Sequence, residues 1–530
     1  MKVVTSHTMQ DIDKQAINEF GISSLELMEN AGRSCTDIII GEFGHTGHKR
    51  VLILSGKGNN GGDGHVIARQ LSQKGWNVKV LVLAERDQIK GDAAFNLEQL
   101  PQELVSFCPQ LGQLSGLHRT DIIQADLIVD ALLGTGLSND IAGAYQEAVE
   151  LINSSGRPVL AVDIPSGIHG TTGRILGCAV RADITVTFAF AKLGHVLYPG
   201  AEHIGRLIVT DIGIPPTLME SAPGYDFLNE LGMRPLLRRR DRQGHKGDFG
   251  HCLFIAGSTG KTGAAALCAN AAVRAGSGLV TLAVPESLHH ILEMKTTEAM
   301  TVPLPDSVSG HLASSAYPTI VSLLKSKDVL AIGPGIDRRP GTVALVHTLV
   351  ESVELPMVID ADGLNALATD ITVLQRKKSA TIILTPHPGE MARLLGASIP
   401  DVDAIRISVA QEFARTYGVF LVLKGARTII ASPDGAAAIN GSGNPGMASG
   451  GMGDVLTGII TSLLGQGYSA WDACRLGVFI HGFSADMVAQ TKGEVGINAT
   501  DVQENIPHAY KRLMETNPEL TTNRKKSVTH

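Results

Sequence analysis

From Val51 onward one pattern recurs along the chain: a short run rich in β-branched residues and leucine, a turn of Gly, Asn or Asp, then a stretch with apolar residues at helical spacing. Such alternation builds parallel strands, because each parallel neighbour is reached through a long crossover that a helix supplies. Strands are predicted over 51–54, 78–83, 127–129, 159–162, 184–188 and 207–209, after one or two helices within 11–40. Between about 215 and 250 the pattern lapses into Pro/Gly-rich and then basic sequence (MRPLLRRRDRQGHKGDFG), and it restarts with strands over 252–255, 279–284, 329–332, 357–359, 381–384 and 420–423. Two α/β domains are therefore expected, 1–220 and 236–513, joined by a linker over 221–235 and followed by a polar, frayed tail over 514–530. Arg238 to Arg240 are expected to form a solvated face.

Composition removes several function classes. With 45 Lys+Arg against 52 Asp+Glu, the net charge of −7 leaves no basic surplus for a phosphate backbone, so nucleic acid is not expected as a partner. Aromatic residues make up 4%, too few for base-stacking platforms. The six cysteines include no CxxC pair, which points to a reducing compartment without a disulfide framework or thiolate zinc site. No apolar run reaches a membrane span and the first residues lack a signal-peptide core, so a cytoplasmic, non-membrane protein is expected. A homo-oligomer is also expected.

In the first half, the strand VLILS runs into Gly56-Lys57-Gly58-Asn59-Asn60-Gly61-Gly62-Asp63-Gly64 and then a helix. Glycines at such a turn let backbone amides approach phosphate, and Glu85 could play the ribose-binding acid of a dinucleotide site. The side-chain oxygens of Asn59, Asn60 and Asp63 exceed what a plain dinucleotide turn needs. Downstream, Asp130 and Asp163 each stand at the carboxyl end of a strand, before LLGTGL and IPSG, where α/β sheets bind ligands. Asn60, Asp130 and Ser166 form an all-oxygen set suited to a hard cation. Asp163 is the candidate for proton transfer, the alternative being a turn cap.

In the second half, Gly257 to Thr262 falls short of a Walker A loop, since two residues rather than four separate its glycines. The stronger phosphate site is NPGMASGGMGD (Asn444 to Asp454), which leads straight into a helix. Its glycine amides and the helix dipole suit a transferring phosphoryl group, and Asp454 can take a proton from an attacking hydroxyl. GPG (Gly333 to Gly335), DADGLNAL (Asp360 to Leu367), TPHPGE (Thr385 to Glu390) and KGART (Lys424 to Thr428) all fall at predicted strand ends. His387 on its own reads equally as a hydrogen-bonded loop histidine.

The motifs ELMENAG (Glu26 to Gly32), GNNGGDG, VDALLGTGL and DIPSG together resemble the NAD(P)HX epimerases. The stretch GSTGKTGAAALCANAAVRAGSGLV with GPG, TPHPGE and GGMGD resembles the ADP- or ATP-dependent NAD(P)HX dehydratases of the ribokinase-like superfamily. The resemblance implies a Rossmann-like three-layer domain followed by a ribokinase-like α/β domain. It implies that the first interconverts (R)- and (S)-NADHX and NADPHX at C6 and that the second dehydrates the S epimers to NADH and NADPH. Fusion of the two activities is itself a family arrangement and favours ADP, giving AMP and phosphate, although no residue distinguishes ADP from ATP.

By motif, the resemblance places hydrated nucleotide at Asn59, Asn60, Gly61, Gly62, Asp63, Gly134, Thr135, Gly136, Leu137, Ser138, Asn139, Asp140 and Asp163. It places potassium at Asn60, Asp130 and Ser166. In the second domain it assigns substrate to Ala264, Gly335, His387 and Asp454, and the phosphoryl donor to Lys424, Gly425, Ala426, Arg427, Thr428 and Gly453, with Mg2+ bridging donor oxygens. Lys192, in FAFAKLG, matches the family pattern without a fixed role, the alternative being a surface lysine. Two other readings share these features: a small-molecule kinase of the hydroxymethylpyrimidine or sugar type with a ligand-sensing first domain, and a first half that only binds.

Overall fold

The structure, a computed structural model, describes residues 1–45, 50–307 and 309–515. The expected tail therefore lies, from residue 516 on, outside the described residues. The chain divides into two units, with the boundary between Tyr225 and Asp226.

In the first unit the strands are β1 (Lys2–Val4), β2 (Arg50–Ser55), β3 (Asn77–Val82), β4 (Val105–Phe107), β5 (Leu127–Ala131), β6 (Val159–Val162), β7 (Ile184–Phe188), β8 (Ala191–Lys192) and β9 (Arg206–Thr210). Seven of them form a wholly parallel sheet in the order β4-β3-β2-β5-β6-β7-β9, while β1 pairs in parallel with β8. Along β2, Val51 and Ile53 enter one hydrophobic cluster and Leu52 and Leu54 another, so both faces of the sheet are covered. This is the three-layer arrangement expected of near-continuous hydrophobic strands. Chain order reverses between β2 and β5, and the crevice outside their carboxyl ends is where such sheets take ligands. The two helices that precede β2, Ser6–Asn18 and Ser24–Phe43, match the leading helical pattern. Within ELMENAG, Gly32 has a packing reason: a Cβ there would lie 2.4 Å from Val66 of the helix Asn59–Gln73.

The second unit contains β10 (Tyr225–Leu228), β11 (His251–Ile255), β12 (Leu279–Pro285), β13 (Met300–Leu304), β14 (Val329–Ile332), β15 (Met357–Ile359), β16 (Ile382–Leu384), β17 (Phe420–Leu423), β18 (Ile429–Ala431) and β19 (Ala437–Asn440). Their order is β13-β12-β11-β14-β15-β16-β17-β18-β19-β10; only the β17-β18 and β18-β19 pairs are antiparallel. The switch point lies between β11 and β14. Among the described residues no helix is long and apolar enough to cross a membrane.

One expectation needs correction. The stretch 221–235 is not a bare linker, because β10 pairs with β19, with Phe227 opposite Ile439, and Leu228 and Met233 join the core. The run YDFL is too short to be read as a strand between Gly224 and Asn229. Arg238 to Arg240 are exposed, as expected, and two of them are also pinned: Arg238 donates to the carbonyl of Gly467 and stacks over Tyr468, 4.2 Å from its ring centre, and Arg240 covers the ring of Phe249 at 4.1 Å. Charge runs can be exposed and still pinned when an aromatic face lies within reach.

Candidate active sites

In the first unit, the turn after β2 feeds the helix Asn59–Gln73, whose opening turn is buried from Asn60 to Gly64. Gly61 has no room for a side chain, since a Cβ would come within 2.1 Å of the Gly56 carbonyl oxygen. Across the switch point, Asp130 ends β5 and is fully buried; its carboxylate accepts from the amide of Ser166 (2.8 Å), the hydroxyl of Ser166 (2.6 Å) and the amide of Leu132 (3.2 Å). Burial, only partly offset by these bonds, lifts Asp130 to about 6. The Asn60 side chain is also buried, and neither its Oδ1 nor its Nδ2 has a hydrogen-bond partner. A position for Cβ on Gly134 would lie 3.4 Å from Asn60 Oδ1, so the GTG loop crosses directly over this amide. An orphaned buried amide beside a buried carboxylate and hydroxyl calls for a ligand.

Asp163 follows β6 in the left-handed region, φ 63°, an unusual conformation for an aspartate and one found at functional turns. Lys192 Nζ donates to Asp163 Oδ1 (2.8 Å), to Thr187 Oγ1 (2.8 Å) and to the Phe188 carbonyl (3.2 Å), so all three of its protons are placed. Burial alone would raise Asp163, but the Lys192 ammonium holds it below the usual carboxylate range. Lys192 is thus no surface lysine: its side chain is 2% exposed. His195 accepts from the Lys192 amide at Nδ1 and so donates from Nε2 to the Asp163 carbonyl (2.9 Å); burial lowers it to about 4, which keeps it neutral. The Thr135 amide reaches Asp163 Oδ2 at 3.4 Å, which draws the start of the 134–140 loop to this carboxylate. Gly136, Ser138, Asn139 and Asp140 lie exposed farther along that loop, as does Asn59 on the facing turn. Glu85 is exposed and its amide donates to Gln88 within a short capped turn, a local structural role.

In the second unit, Gly257 after β11 meets GPG after β14, with the Gly257 amide donating to the Pro334 carbonyl (2.9 Å). A Cβ on Gly333, φ 130°, would lie 1.8 Å from the Asp360 carbonyl oxygen, and one on Gly335, φ 66°, would lie 3.2 Å from Ala264 Cβ. These glycines are what allow GPG, DADG and the helix Thr262–Arg274 to converge. Gly333→Ala should therefore cost several kcal/mol through strain and displacement of the Asp360 strand end, about 3 or more; a thermal melt of the purified variant checks it.

Asp454 occupies the first turn of the helix Met452–Gly465, entered through Gly451 at φ 92°. Burial, reinforced by the nearby Asp360 carboxylate, raises Asp454 to about 7. Asp360 is 1% exposed; its Oδ1 accepts from Lys424 Nζ (2.7 Å) and its Oδ2 from Thr457 Oγ1 (2.7 Å). Lys424 also faces Glu390 Oε2 at 3.8 Å. Burial works against the Lys424 charge, but Asp360 and Glu390 keep it raised. The KGART lysine therefore points inward at Asp360, while Gly425 to Thr428 follow it, with Thr428 Oγ1 donating to the Gly425 carbonyl and Arg427 to the Gly441 carbonyl. A Cβ on Gly453 would lie 3.3 Å from Lys424 Nζ. His387 Nδ1 accepts from the amides of Gly389 and Glu390 as a helix cap, and Nε2 of its half-exposed ring lies 3.4 Å from the buried Glu390 Oε1.

Asp360 and Glu390 lie inside DADGLNAL and TPHPGE without a role that local spacing assigns, and Thr457, Thr187 and His195 lie outside the motifs altogether. Only the strand-end position of Asp360 could have singled it out.

The profile of the NAD(P)H-hydrate dehydratase family matches residues 252–508, and that of the YjeF-related protein N-terminus matches residues 24–194. The bifunctional NAD(P)H-hydrate repair enzyme Nnr of Moorella thermoacetica is 46% identical over 519 residues, covering 97% of this chain and 98% of that one. Its Escherichia coli counterpart is 34% identical over 514 residues, covering 96% and 93%. The ADP/ATP-dependent NAD(P)H-hydrate dehydratase of Bacillus subtilis, co-crystallised with ATP/Mg2+, is 28% identical and covers 55% of this chain and 99% of that one, with a TM-score of 0.48. Full-length likeness at this level leaves one assignment: the chain belongs to the family of bifunctional NAD(P)H-hydrate repair enzymes.

Proposed function

We infer that this chain restores hydrated nicotinamide nucleotides, epimerising (R)- and (S)-NAD(P)HX in its first unit and dehydrating the S epimer in its second with ADP or ATP as phosphoryl donor. The observation that carries this is the pair of separate switch-point sites, each built around a buried carboxylate with a lysine in its field, in a chain collinear with bifunctional repair enzymes.

In the second unit Asp454 takes the C6 hydroxyl proton as that oxygen attacks the donor's terminal phosphorus. The amides of the Gly450 to Gly453 turn and the helix N-terminus face the transferring charge. Phosphorylation makes the oxygen a good leaving group, and the ring nitrogen's lone pair expels phosphate; loss of the C5 proton completes the dihydronicotinamide. Substrate lies toward Ala264, Gly335 and His387. Gly425 to Thr428 and Gly453 border the donor, Lys424 contributing charge through its pair with Asp360. Asp360 is held by Lys424 and Thr457, and Asp362 by Lys261 (2.8 Å) and the Asp337 amide (3.0 Å). No free carboxylate cage remains among these, which fits a magnesium ion carried on the donor's phosphates and completed by water. When bound, it neutralises phosphate charge.

In the first unit the nucleotide spans Asn59 to Asp63 and Gly134 to Asp140, with its ring at Asp163. Asn60, Asp130 and Ser166 fit potassium, because the buried Asn60 amide lacks any other partner and the donors are all oxygen. Bound there, the cation fixes the two loops that frame the nucleotide. Asp130→Ala should therefore lower epimerisation by about tenfold to a hundredfold, the loss typical of a disturbed metal shell, with dehydration of pure (S)-NADHX unchanged; a chloride-salt titration with K+ against a bulky organic cation reads the weakened site.

The test of the whole reading is to mix the protein with both epimers of hydrated NADH, magnesium, potassium and either ADP or ATP, and follow the near-ultraviolet absorbance of the reduced ring. Recovery of both epimers supports both activities and identifies the donor. Recovery of the S fraction alone removes the epimerase role, and a stable phosphorylated product points to a kinase instead.

A further inference from the structure

The leading helix Ser6–Asn18 places one acidic residue where its apolar face should continue. Its buried positions are Ser6, Met9, Ile12 and Ala16, and Asp13 falls in phase with them, four residues after Met9 and three before Ala16. The helix starts directly after β1, whose Val4 stands opposite Lys192 in the β1-β8 pair. Ser6 meets the site loops: a Cβ on Gly170 would lie 2.2 Å from Ser6 Oγ and 3.2 Å from Thr135 Cγ2, and the Thr135 amide is the one that reaches Asp163. Ser6 Oγ is itself buried without a hydrogen-bond partner. Among the described residues no hydrogen bond or ion pair holds the Asp13 carboxylate, although it shares the field of Lys192 and Asp163.

We propose that Asp13 is the second proton-transfer group of the epimerase site, paired with Asp163. The proposal rests on the reading of the first unit as the epimerase. Inversion at C6 by C–O cleavage has the hydroxyl leave from one face and water return on the other, so on this route one group gives a proton to the departing oxygen and another takes one from the entering water. Asp163 is kept ionised by Lys192, whereas burial lifts Asp13 to about 6, Lys192 lowering it and Asp163 raising it. Two carboxyl groups pushed apart in this way divide the acid and base roles. Asp13 donates its proton as the C6–O bond breaks, and the ring nitrogen's lone pair forms the C6=N bond. Water then adds to the opposite face and gives a proton to Asp163. One proton has moved from Asp13 to Asp163 and returns through solvent. The groups that face this exchange are Lys192, Asp163, the buried Asp63, which burial and both other aspartates push well above its usual range, and neutral His195.

The experiment uses the full chain without donor nucleotide and separates the two epimers chromatographically over time, subtracting the enzyme-free rate. Asp13→Asn should lower kcat for epimerisation by about 10² to 10³-fold with KM little changed. Because the shared proton is lost as pH rises, native activity should fall through a limb near about 6, and that limb should be absent from the residual activity of Asp13→Asn and present, shifted, in Asp13→Glu. Thermal melting and dehydration of pure (S)-NADHX on the same preparations show that the variants are folded. A kcat within about threefold of native overturns the proposal, as does a slow variant that keeps the native pH limb. If Asp13→Asn does not fold, the Asp13→Glu limb decides: an unshifted limb overturns the proposal. Asp163→Asn serves as the control, since its retention of native epimerisation would remove the underlying reading rather than the role of Asp13 alone.

Discussion

Asp454→Asn is expected to slow dehydration of (S)-NAD(P)HX by about 10² to 10⁴-fold, the usual worth of a positioned base, while epimerisation in the first unit proceeds at the native rate. The substitution is nearly isosteric and leaves the first turn of the helix Met452–Gly465 its polar side chain, so only the proton acceptor is removed. Burial and the Asp360 carboxylate hold Asp454 at about 7, close to the operating range of an efficient general base. As a base it must be ionised, so native dehydration should rise as pH passes upward through about 7 and fall below it, and the residual activity of the variant should lack that limb. Stability moves the other way. A carboxyl group raised on folding opposes folding once its unfolded counterpart ionises, so the variant should melt at or above the native temperature at neutral and alkaline pH. Absorbance recovery from pure (S)-NADHX, phosphate release and a melting series measure all three. Dehydration at the native rate would rule out Asp454 as the base.

The parallel architecture could be read from the sequence because most buried strands are short runs of apolar and β-branched residues, several of them ended by glycine or aspartate turns, and the predicted strands over 159–162, 184–188, 329–332, 357–359 and 420–423 are those observed. Strands without that signature were missed. Met300–Leu304 carries Pro303 and lies on a sheet edge, where a missing donor is tolerated, and Ile429–Ala431 with Ala437–Asn440 form a hairpin too short for periodicity to register. The site shows the same division. Aspartates at strand ends could be found because the topology delivers strand ends to one crevice, which is why Asp130, Asp163 and the DADG motif stood out. Their partners could not. Lys192 follows a different strand from Asp163, and Thr457 lies 97 residues beyond Asp360 on a helix, so neither contact leaves a trace in local spacing. Asp13 was read only as part of an amphipathic helix, and its significance depends on what the face of that helix covers.

Lys192→Met should be the most damaging single change in the first unit, in stability as well as activity. The native ammonium is 2% exposed and gives its three protons to Asp163, Thr187 and the Phe188 carbonyl. Methionine fills much the same volume but leaves Asp163 in a buried setting without its counter-charge and removes a donor to Thr187 Oγ1, while the Phe188 carbonyl keeps the Phe190 amide. Breaking one side of a buried pair costs about 3–5 kcal/mol. The pH dependence separates this cause from simple loss of packing. In the native protein Lys192 depresses Asp163, so the pair stabilises the fold above the unfolded carboxyl range and that stability is lost as pH falls through the folded value. Without the lysine, burial raises Asp163, and the unpaired charge costs most at neutral and alkaline pH. The melting deficit relative to native should shrink as the medium is acidified and Asp163 takes up a proton, whereas a packing defect would persist at every pH. Epimerisation should fall by about 10² to 10⁴-fold near neutrality, with its acid limb displaced to higher pH, because a protonated Asp163 cannot accept the proton of the entering water. Lys192→Arg should rescue little, since a planar guanidinium cannot direct donors to three acceptors arranged around a point charge. Dehydration of the S epimer, carried by the second unit, reports that this unit is intact while the first site is lost, and the melt reports the fold of the first.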